Sequence, residues 1–261
     1  MTGSFLERIT AARRADAQRR RSEGALRSAQ DAARAAGRPR DFARALARPG
    51  LSLIAEIKRA SPSAGDIAPG AQPGELARAY EAGGAAAISV LTEPDHFRGS
   101  LDDLREARSA CALPVLRKDF LCDALHVWEA RGAGADAVLL IVAALSQTEL
   151  VSLADLAADL GMAVLVEVHS ATEIERAADA GARIIGINTR DLATLAVDGA
   201  VVAKLRPLIP DGAIVVGESG VSTRADVDAL RAATVDAVLV GEAVMRAADP
   251  ARTIAELLSQ D

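Results

Sequence analysis

The stretch AVLLIVAALSQTELVSLADLAADLGMAVLVEV, residues 137–168, contains one complete structural unit and decides the fold. It begins with the apolar run AVLLIV (137–142) and ends with the apolar run AVLVEV (163–168). The segment between them places leucines at helical spacing on one side: Leu150, Leu153, Leu156 and Leu160. Apolar runs without alternation are typical of strands buried on both faces, so the stretch predicts two parallel strands joined by a crossover helix.

The same unit recurs along the chain from residue 51 onward. Eight apolar runs are present: LSLIAEIK (51–58), AAAISVLTE (85–93), PVLRKDF (114–120), AVLLIV (137–142), AVLVEV (163–168), IIGINTR (184–190), AIVVGES (213–219) and AVLVGEAV (237–244). Eight strand–helix units close into a barrel more naturally than they form an open sheet, so we predict an α/β fold, a (β/α)8 TIM barrel. A doubly wound open sheet is the alternative, but no GxGxxG motif follows the first run.

Residues 1–50 lie outside the repeat. They predict one or two helices, FLERITAARRADAQRRR (5–21) and DFARALARP (41–49). We therefore predict that residues 1–261 form a single (β/α)8-barrel domain, with 1–50 as an N-terminal helical extension packed on the barrel. The side chains expected to dock there are Phe5, Ile9, Phe42 and Leu46.

Composition narrows the class of protein. Half of the 261 residues are hydrophobic and 2% are aromatic, so a large core must consist of Ala, Val, Leu and Ile. The net charge of −6 disfavours a nucleic-acid partner, and we interpret the arginines at 19–21 as a solvated helix face. With no apolar signal region and no run long enough to span a bilayer, a cytoplasmic protein is expected. Cys111 and Cys122 suit a reducing compartment and lack zinc-ligand spacing, so no metal is expected.

Polar residues follow the apolar runs at the point where barrel enzymes place their active sites. They are Glu56 and Lys58; Arg117, Lys118 and Asp119; Glu167; Asn188 and Arg190; Glu218 and Ser219; Gly241 and Glu242. Glu56 and Lys58 are two apart on one strand, so both point to the same face. Opposite charges that converge on one cavity offset the cost of burial. Because five strands share this feature, we interpret it as a site rather than as separate salt bridges to the helices.

Two loops and three histidines complete the candidate features. The loops after the seventh and eighth runs commonly bind phosphate in barrels, and Gly220 and Gly241 let backbone N–H groups approach an anion there. The loop at 59–67 is either a mobile lid or an ordinary surface loop. No catalytic role is expected for the histidines, which are scattered: His96, His126 and His169.

Seven motifs resemble those of the indole-3-glycerol-phosphate synthase family. They are IAEIKRASPSAG (54–65), VLTEPDHFRGS (90–100), PVLRKDF (114–120), LLIV (139–142), GINTRDL (186–192), ESG (218–220) and VGEAVMR (240–246). The resemblance implies ring closure of 1-(2-carboxyphenylamino)-1-deoxyribulose 5-phosphate to indole-3-glycerol phosphate, with loss of CO2 and water. It implies no cofactor and no metal.

The resemblance also implies a role for each matching residue. Lys118 matches a general acid, Lys58 a second lysine in binding and proton transfer, and Asn188 a residue that orients the substrate. Glu56 and Glu167 match carboxylates that stabilise a cation and serve in dehydration. Substrate-binding positions are matched by Ser61, Phe97, Phe120, Arg190, Ser219, Gly220 and Gly241. Ala60 and Glu242 depart from the lysine and serine that some members carry there.

The residues themselves add one expectation and leave alternatives open. Lys58 and Arg190 would depress the pKa of Lys118, which suits a general acid, while Glu167 would oppose this. Another phosphate-binding barrel isomerase, or a barrel that binds anions without catalysis, remains an alternative. The expected partner is a small sugar-phosphate substrate, with neither nucleic acid nor membrane. A monomer is expected, and an oligomer is left open.

Overall fold

The computed structural model describes residues 4–191 and 196–259; Leu192, the end of the GINTRDL motif, lies outside them. Within those residues, eight parallel strands form a closed barrel. They are β1 (Ser52–Ile57), β2 (Ala87–Leu91), β3 (Val115–Lys118), β4 (Ala137–Ile141), β5 (Ala163–Val168), β6 (Ile184–Asn188), β7 (Ile214–Glu218) and β8 (Ala237–Val240). Strand β1 pairs with both β2 and β8, so the barrel prediction is confirmed and the open sheet is excluded.

Helices precede, connect and follow the strands. They are α1 (Phe5–Ser22), α2 (Ala25–Ala35), α3 (Phe42–Leu46), α4 (Pro73–Ala82), α5 (Leu101–Ala110), α6 (Ala124–Gly132), α7 (Gln147–Asp159), α8 (Ala171–Asp179), α9 (Ala200–Leu205), α10 (Arg224–Ala232), α11 (Glu242–Met245) and α12 (Pro250–Leu258). Short 3₁₀ turns follow β4 and α9, and the loop after β1 forms a hairpin of Ala60–Ser61 with Gly65–Asp66. None of the helices described here is long and apolar enough to cross a membrane.

Helix α7 shows why the sequence folds as its pattern predicts. Ser146 accepts a hydrogen bond from the Glu149 backbone N–H, and the Glu149 side chain accepts one from the Ser146 backbone. This capping box fixes the start of the helix. Leu150 and Leu153 are buried, and Gly161 takes a φ of 75° just after the helix ends. The helix was predicted from the spacing of its leucines.

Strand periodicity divides the core into two apolar clusters. The cluster inside the barrel includes Ile54, Leu116, Leu165 and Val216. The cluster between the sheet and the helices includes Leu53, Val115, Val166 and Val215. Successive strand residues point to opposite faces, so the residue two positions after each interior residue also points inward. Those residues are Glu56, Lys118, Glu167 and Glu218.

The first part of the chain contains one more helix than we predicted. Three helices are described within residues 4–50, and the unpredicted one, α2, packs against α6. Its N-cap is Gly24, which offers no capping side chain, so the usual sequence signal for a helix start is missing. The expected docking residues lie in or against the cluster that fills the barrel: Phe5, Ile9, Phe42 and Leu46.

The arginine run at the end of α1 is used in ion pairs. Arg19 bonds Asp16 at 2.5 Å, Arg20 bonds Glu129, and Arg21 bonds Asp123 at 2.9 Å. These contacts tie α1 to its own acidic residue and to α6. The run therefore serves helix packing, in keeping with its interpretation as a helix face.

Candidate active site

The carboxyl-terminal ends of the strands surround a cavity of about 620 Å³. All twelve residues that the sequence assigned to catalysis or substrate binding line it: Glu56, Lys58, Ser61, Phe97, Lys118, Phe120, Glu167, Asn188, Arg190, Ser219, Gly220 and Gly241. Seven of the eight strands, or the loops that follow them, supply these residues. The structure therefore brings the twelve residues together, whereas their roles as site residues remain predictions.

Five charged side chains form the centre of the cavity, and we call Glu56, Lys58, Lys118, Glu167 and Glu218 the pocket charge cluster. The Lys118 Nζ lies 3.6 Å from the Glu167 Oε2 and 3.5 Å from the Glu218 Oε2. The Lys58 Nζ lies 2.8 Å from the Glu56 Oε1, as expected for side chains two apart on one strand. The three carboxylates are almost fully buried, so these pairs interact in a medium less screening than water.

The charge state of Lys118 differs from our expectation. Burial lowers the pKa of its ammonium, but Glu218, Glu167 and Glu56 together outweigh burial and raise that pKa above its ordinary value. The predicted depression is therefore wrong in this structure, because carboxylates rather than the cations Lys58 and Arg190 dominate its surroundings. Lys118 carries its proton at neutral pH and has it available to donate.

Glu218 belongs to the cluster, although we did not include it among the predicted site residues. Burial and the neighbouring Glu167 raise its pKa to about 8, against the attraction of Lys118. Neither of its carboxyl oxygens has a hydrogen-bond partner among the described residues. Gly186 makes room for it, because a Cβ there would overlap the Glu218 Oε1. The signal was present in the sequence: Glu218 ends β7 two residues after the interior Val216.

The pKa of Glu56 is shifted in the direction opposite to that of Glu218. Burial raises the pKa of this carboxyl, but Lys58 and Lys118 outweigh burial and hold it below its usual value. Gly241 is part of this arrangement, since a Cβ there would lie 2.5 Å from the Glu56 Oε1 and 3.2 Å from the Lys58 Nζ. Glycine at this position therefore admits the ion pair, in addition to the anion contact that we expected.

Asn188 and Arg190 connect the barrel to the loop after β1. The Asn188 Oδ1 accepts a hydrogen bond from the Arg190 backbone N–H at 3.0 Å. The Arg190 guanidinium reaches the Ser63 hydroxyl at 3.5 Å. Within the same loop, the Ser61 hydroxyl accepts a hydrogen bond from the Ala64 N–H at 3.1 Å. The loop thus lies over the cavity with its polar side chains turned toward it; its motion as a lid remains a prediction.

Aromatic rings form an apolar wall beside the charges. Phe97 and Phe120 lie with ring centroids 6.1 Å apart, and Phe5 from α1 packs edge-on to Phe120 at 6.3 Å. Phe5 also lines the cavity, which the sequence did not reveal because α1 lies far from β3 along the chain. The buried Glu93 carboxylate holds the loop that carries Phe97, accepting hydrogen bonds from the backbone N–H groups of 95, 96 and 97.

The loops after β7 and β8 form the remaining side. Ser219 and Gly220 have φ values of 67° and 76°, which turn the chain sharply after β7. Arg246 also lines the cavity, and its Nε lies 2.9 Å from the Glu242 Oε1. Arg246 was quoted only within the VGEAVMR motif and was not predicted as a site residue. This side offers backbone N–H groups and a guanidinium to an anion.

Arg117, within β3, and Asp119, just after it, do not join the pocket charge cluster, although Asp119 also borders the cavity. They flank Lys118, so strand periodicity turns them to the opposite face. The Asp119 Oδ2 accepts hydrogen bonds from Arg13 at 2.7 Å, Arg117 at 2.8 Å and the Thr92 hydroxyl at 2.8 Å. We call Arg13, Thr92, Arg117 and Asp119 the rear charge cluster. It joins α1 of the extension to β3.

Comparison with known proteins agrees with this geometry. The family model described as indole-3-glycerol phosphate synthase matches residues 6–257. Curated proteins of that name are 49% identical in Mycobacteroides abscessus, over 99% of this chain and 95% of theirs, and 50% identical in Mycobacterium avium, over 98% and 94%. A third, from Kineococcus radiotolerans, is 55% identical over 80% of this chain and 77% of its own.

Solved structures support the fold alone. A mandelate oxidase superposes with a TM-score of 0.59 at 21% identity, covering 79% of this chain and 71% of that chain. A thiamine phosphate pyrophosphorylase from Pyrococcus furiosus gives 0.58 at 19% identity, covering 79% and 93%. The sequence matches go further than this likeness: the chain belongs to the indole-3-glycerol phosphate synthase family.

Proposed function

We propose that this chain closes the indole ring of 1-(2-carboxyphenylamino)-1-deoxyribulose 5-phosphate, releasing CO2 and water to give indole-3-glycerol phosphate. One observation carries the proposal: the Lys118 ammonium lies within 3.6 Å of the carboxyl groups of Glu167 and Glu218 in a cavity that also has an aromatic wall. The reaction needs a proton donor beside a carbonyl and negative charge beside a developing cation. The pocket charge cluster offers both.

Ring closure is assigned to Lys118. The aromatic carbon that bears the carboxylate attacks the sugar carbonyl carbon, a carbon–carbon bond forms, and the carbonyl oxygen takes a proton from Lys118. The protonated state of Lys118 follows from its three carboxylate neighbours. Attack leaves a cation on the nitrogen-bearing ring, and Glu56 and Glu167 stabilise it electrostatically. A correctly placed proton donor contributes roughly 10²–10⁴-fold to such a step.

Decarboxylation and dehydration complete the sequence. The carboxyl carbon–carbon bond breaks, CO2 leaves, and its electron pair neutralises the cation. The new hydroxyl then departs as water after gaining a proton, and loss of a second proton from the ring system gives the indole. Lys58 and the carboxylates Glu56 and Glu167 exchange these protons, while Asn188 orients the departing hydroxyl. Every step is a proton transfer or a charge stabilisation that side chains can provide.

The rest of the cavity is assigned to binding. Phe97 and Phe120 contact the anthranilate ring, and Arg190 pairs with an anionic group of the substrate. The phosphate lies in the loops after β7 and β8, where backbone N–H groups are available. The residues proposed for anion contacts are Ser61, Ser219, Gly220 and Gly241.

We also propose that residues 1–261 act as one domain, as a monomer, in the cytoplasm. Support for one domain comes from α1 and α3, whose side chains Ile9, Phe42 and Leu46 pack with the residues that fill the barrel. Light scattering coupled to size-exclusion chromatography would measure the mass directly, and a mass of about 27 kDa is expected.

The test of the function is conversion of the substrate itself. Purified protein is mixed with 1-(2-carboxyphenylamino)-1-deoxyribulose 5-phosphate, indole fluorescence is followed, and released CO2 is counted. One CO2 per indole is expected. Formation of a product of unchanged mass would instead indicate an isomerase, and binding without any product would indicate an anion-binding barrel.

A further inference from the structure

His169 is the first residue after β5, and its ring lies between two carboxylates. The Nε2 lies 3.5 Å from the Glu167 Oε1, and the Nδ1 lies 3.4 Å from the Glu173 Oε2. The other oxygen of Glu167 faces the Lys118 Nζ at 3.6 Å. The Glu167 carboxylate thus bridges His169 and Lys118. Among the described residues, His169 is not one that lines the cavity, so it stands behind Glu167.

We infer that His169 is a positioning residue for Glu167, holding that carboxylate turned toward Lys118. The inference rests on the proposed function, in which Glu167 stabilises the cation formed on ring closure. It gives a role to a histidine for which the sequence predicted none. The role is indirect, since His169 acts through Glu167 rather than on the substrate.

The first step of the argument concerns how the ring is held. Glu173, in the first turn of α8, accepts a hydrogen bond from the His169 backbone N–H at 2.9 Å with the same oxygen that faces the Nδ1. Ser170, the N-cap of α8, fixes Glu173 in turn: its hydroxyl donates to the Glu173 Oε1 and accepts from the Glu173 N–H, both at 3.3 Å. The orientation of the ring is therefore set by the start of a helix.

The second step concerns the charge of the ring. A neutral imidazole has one N–H, so one of its nitrogens would turn a lone pair toward a carboxylate. An imidazolium has an N–H for each carboxylate. The charged groups that face the ring are Glu167 on β5, Glu173 on α8 and, more weakly, Glu218 on β7, and all three are acidic. Burial lowers the pKa of His169, but these carboxylates outweigh burial and raise it above 6.5.

The third step concerns what the ring does for the site. The two oxygens of Glu167 face different groups: the Oε1 faces the His169 Nε2 at 3.5 Å, and the Oε2 faces the Lys118 Nζ at 3.6 Å. An N–H at the Nε2 attracts the Oε1 and so keeps the Oε2 turned toward Lys118. His169 thereby holds Glu167 beside the proposed proton donor during ring closure.

The test compares kcat and KM of His169→Gln with those of the wild type. Without the ring, Glu167 loses the group that turns it toward Lys118, so we expect kcat at neutral pH to fall about fivefold to tenfold. KM should change by less than about twofold, because the substrate does not touch His169. Glu173→Gln should lower kcat in the same way by a smaller amount. Glu175→Gln, a change at an exposed carboxylate of the same helix, is the matched control and should leave both constants unchanged.

Nitrogen NMR supplies a readout that does not depend on activity. The chain contains three histidines, so His169→Gln and His96→Gln assign the ring signals. We expect the His169 ring to titrate above pH 6.5, and to titrate at lower pH in Glu173→Gln. A ring that titrates at or below 6.5, or a His169→Gln variant with the kcat of the wild type, would overturn the inference. Failure of the wild type to convert the substrate would instead reject the proposed function and leave the NMR result to stand alone.

Discussion

The two faces of β3 carry two buried charge clusters, which differ in how completely their carboxyl oxygens are hydrogen-bonded. In the rear charge cluster, Asp119 accepts hydrogen bonds on both oxygens, including one from the Phe120 N–H at 2.8 Å. In the pocket charge cluster, both oxygens of Glu218 and one of Glu167 have no hydrogen-bond partner among the described residues. Buried polar groups are normally satisfied, so each exception requires an explanation.

The difference indicates a structural role for the rear charge cluster and a functional role for the pocket charge cluster. A fully bonded cluster rigidifies the fold, and here it ties α1 to the strand that carries Lys118. A cluster of crowded carboxylates costs stability and is retained where the charges meet a substrate. The sequence RKD at 117–119 contributes to both, because alternate residues of a strand point in opposite directions. Substitutions on the two faces should therefore affect different measured quantities.

The largest effect is expected for Lys118→Ala. Loss of the proposed proton donor should lower kcat by about 10²–10⁴-fold while the circular dichroism spectrum stays that of the wild type. Lys204→Ala, at an exposed lysine on α9, is the control and should turn over normally. Wild-type turnover by Lys118→Ala would remove the assigned general acid.

The next effect is expected at the rear, for Asp119→Ala. Burial raises the pKa of the Asp119 carboxyl, but Arg117 and Arg13 outweigh burial and hold it below its usual value. The carboxylate therefore stabilises the fold at neutral pH, and that stability is lost as pH falls below about 4. Removing it leaves buried cations without their partner, so urea unfolding at neutral pH should show a loss of about 3–5 kcal/mol.

A control and a pH series complete the rear test. Asp102→Ala, at an exposed carboxylate, should change the free energy of unfolding by less than about 1 kcal/mol. The difference between the wild type and Asp119→Ala should shrink in acid. An equal loss at every pH would show that packing, rather than charge, makes Asp119 important.

A gain in stability is expected for Glu218→Gln in the pocket. The pKa of Glu218 is about 8 in the fold against an ordinary 4.5, so between these values the unfolded chain releases a proton that the fold retains. Its contribution to stability therefore falls as pH rises through this range. Glutamine removes the loss, so the variant should be more stable than the wild type above pH 8 by about 1–3 kcal/mol, with little gain near pH 5. A Glu218→Gln variant that is less stable than the wild type at pH 8 would show that the Glu218 side chain stabilises the fold, as Asp119 does.

The smallest effect is expected for Glu242→Ser at the rim. Glu242 pairs with Arg246 beside the proposed phosphate loops, and both side chains are about half exposed. Removing the carboxylate leaves the guanidinium for the substrate, so KM should fall about twofold to fivefold with kcat unchanged. Glu256→Ser breaks a comparable pair on α12 and serves as the control. A raised KM would show that Glu242 supports binding.

The sequence predicted the barrel because each strand is a continuous apolar run. Nine of the twelve cavity residues were predicted from their place at strand ends and in the loops after β7 and β8, whereas Ser61, Phe97 and Phe120 were implied only by the family resemblance. The sequence did not predict α2, whose Gly24 cap gives no signal. The alternation of side chains along a strand, which places Glu56 and Lys58 on one face, also predicts that Glu218 points into the barrel. Applied to β3, it predicts that Asp119 points to the face opposite Lys118. The pKa of Lys118 depends on distances between strands, which no pattern along one strand contains.

The most direct test of the account is turnover per folded molecule, measured for Lys118→Ala and Asp119→Ala side by side, with the folded fraction taken from circular dichroism. The account predicts that the first variant stays folded and loses at least about 10²-fold in kcat, while the second unfolds more readily but keeps its kcat within about tenfold once corrected for folding. Equal losses of corrected kcat in both variants would contradict the division of labour between the two faces of β3.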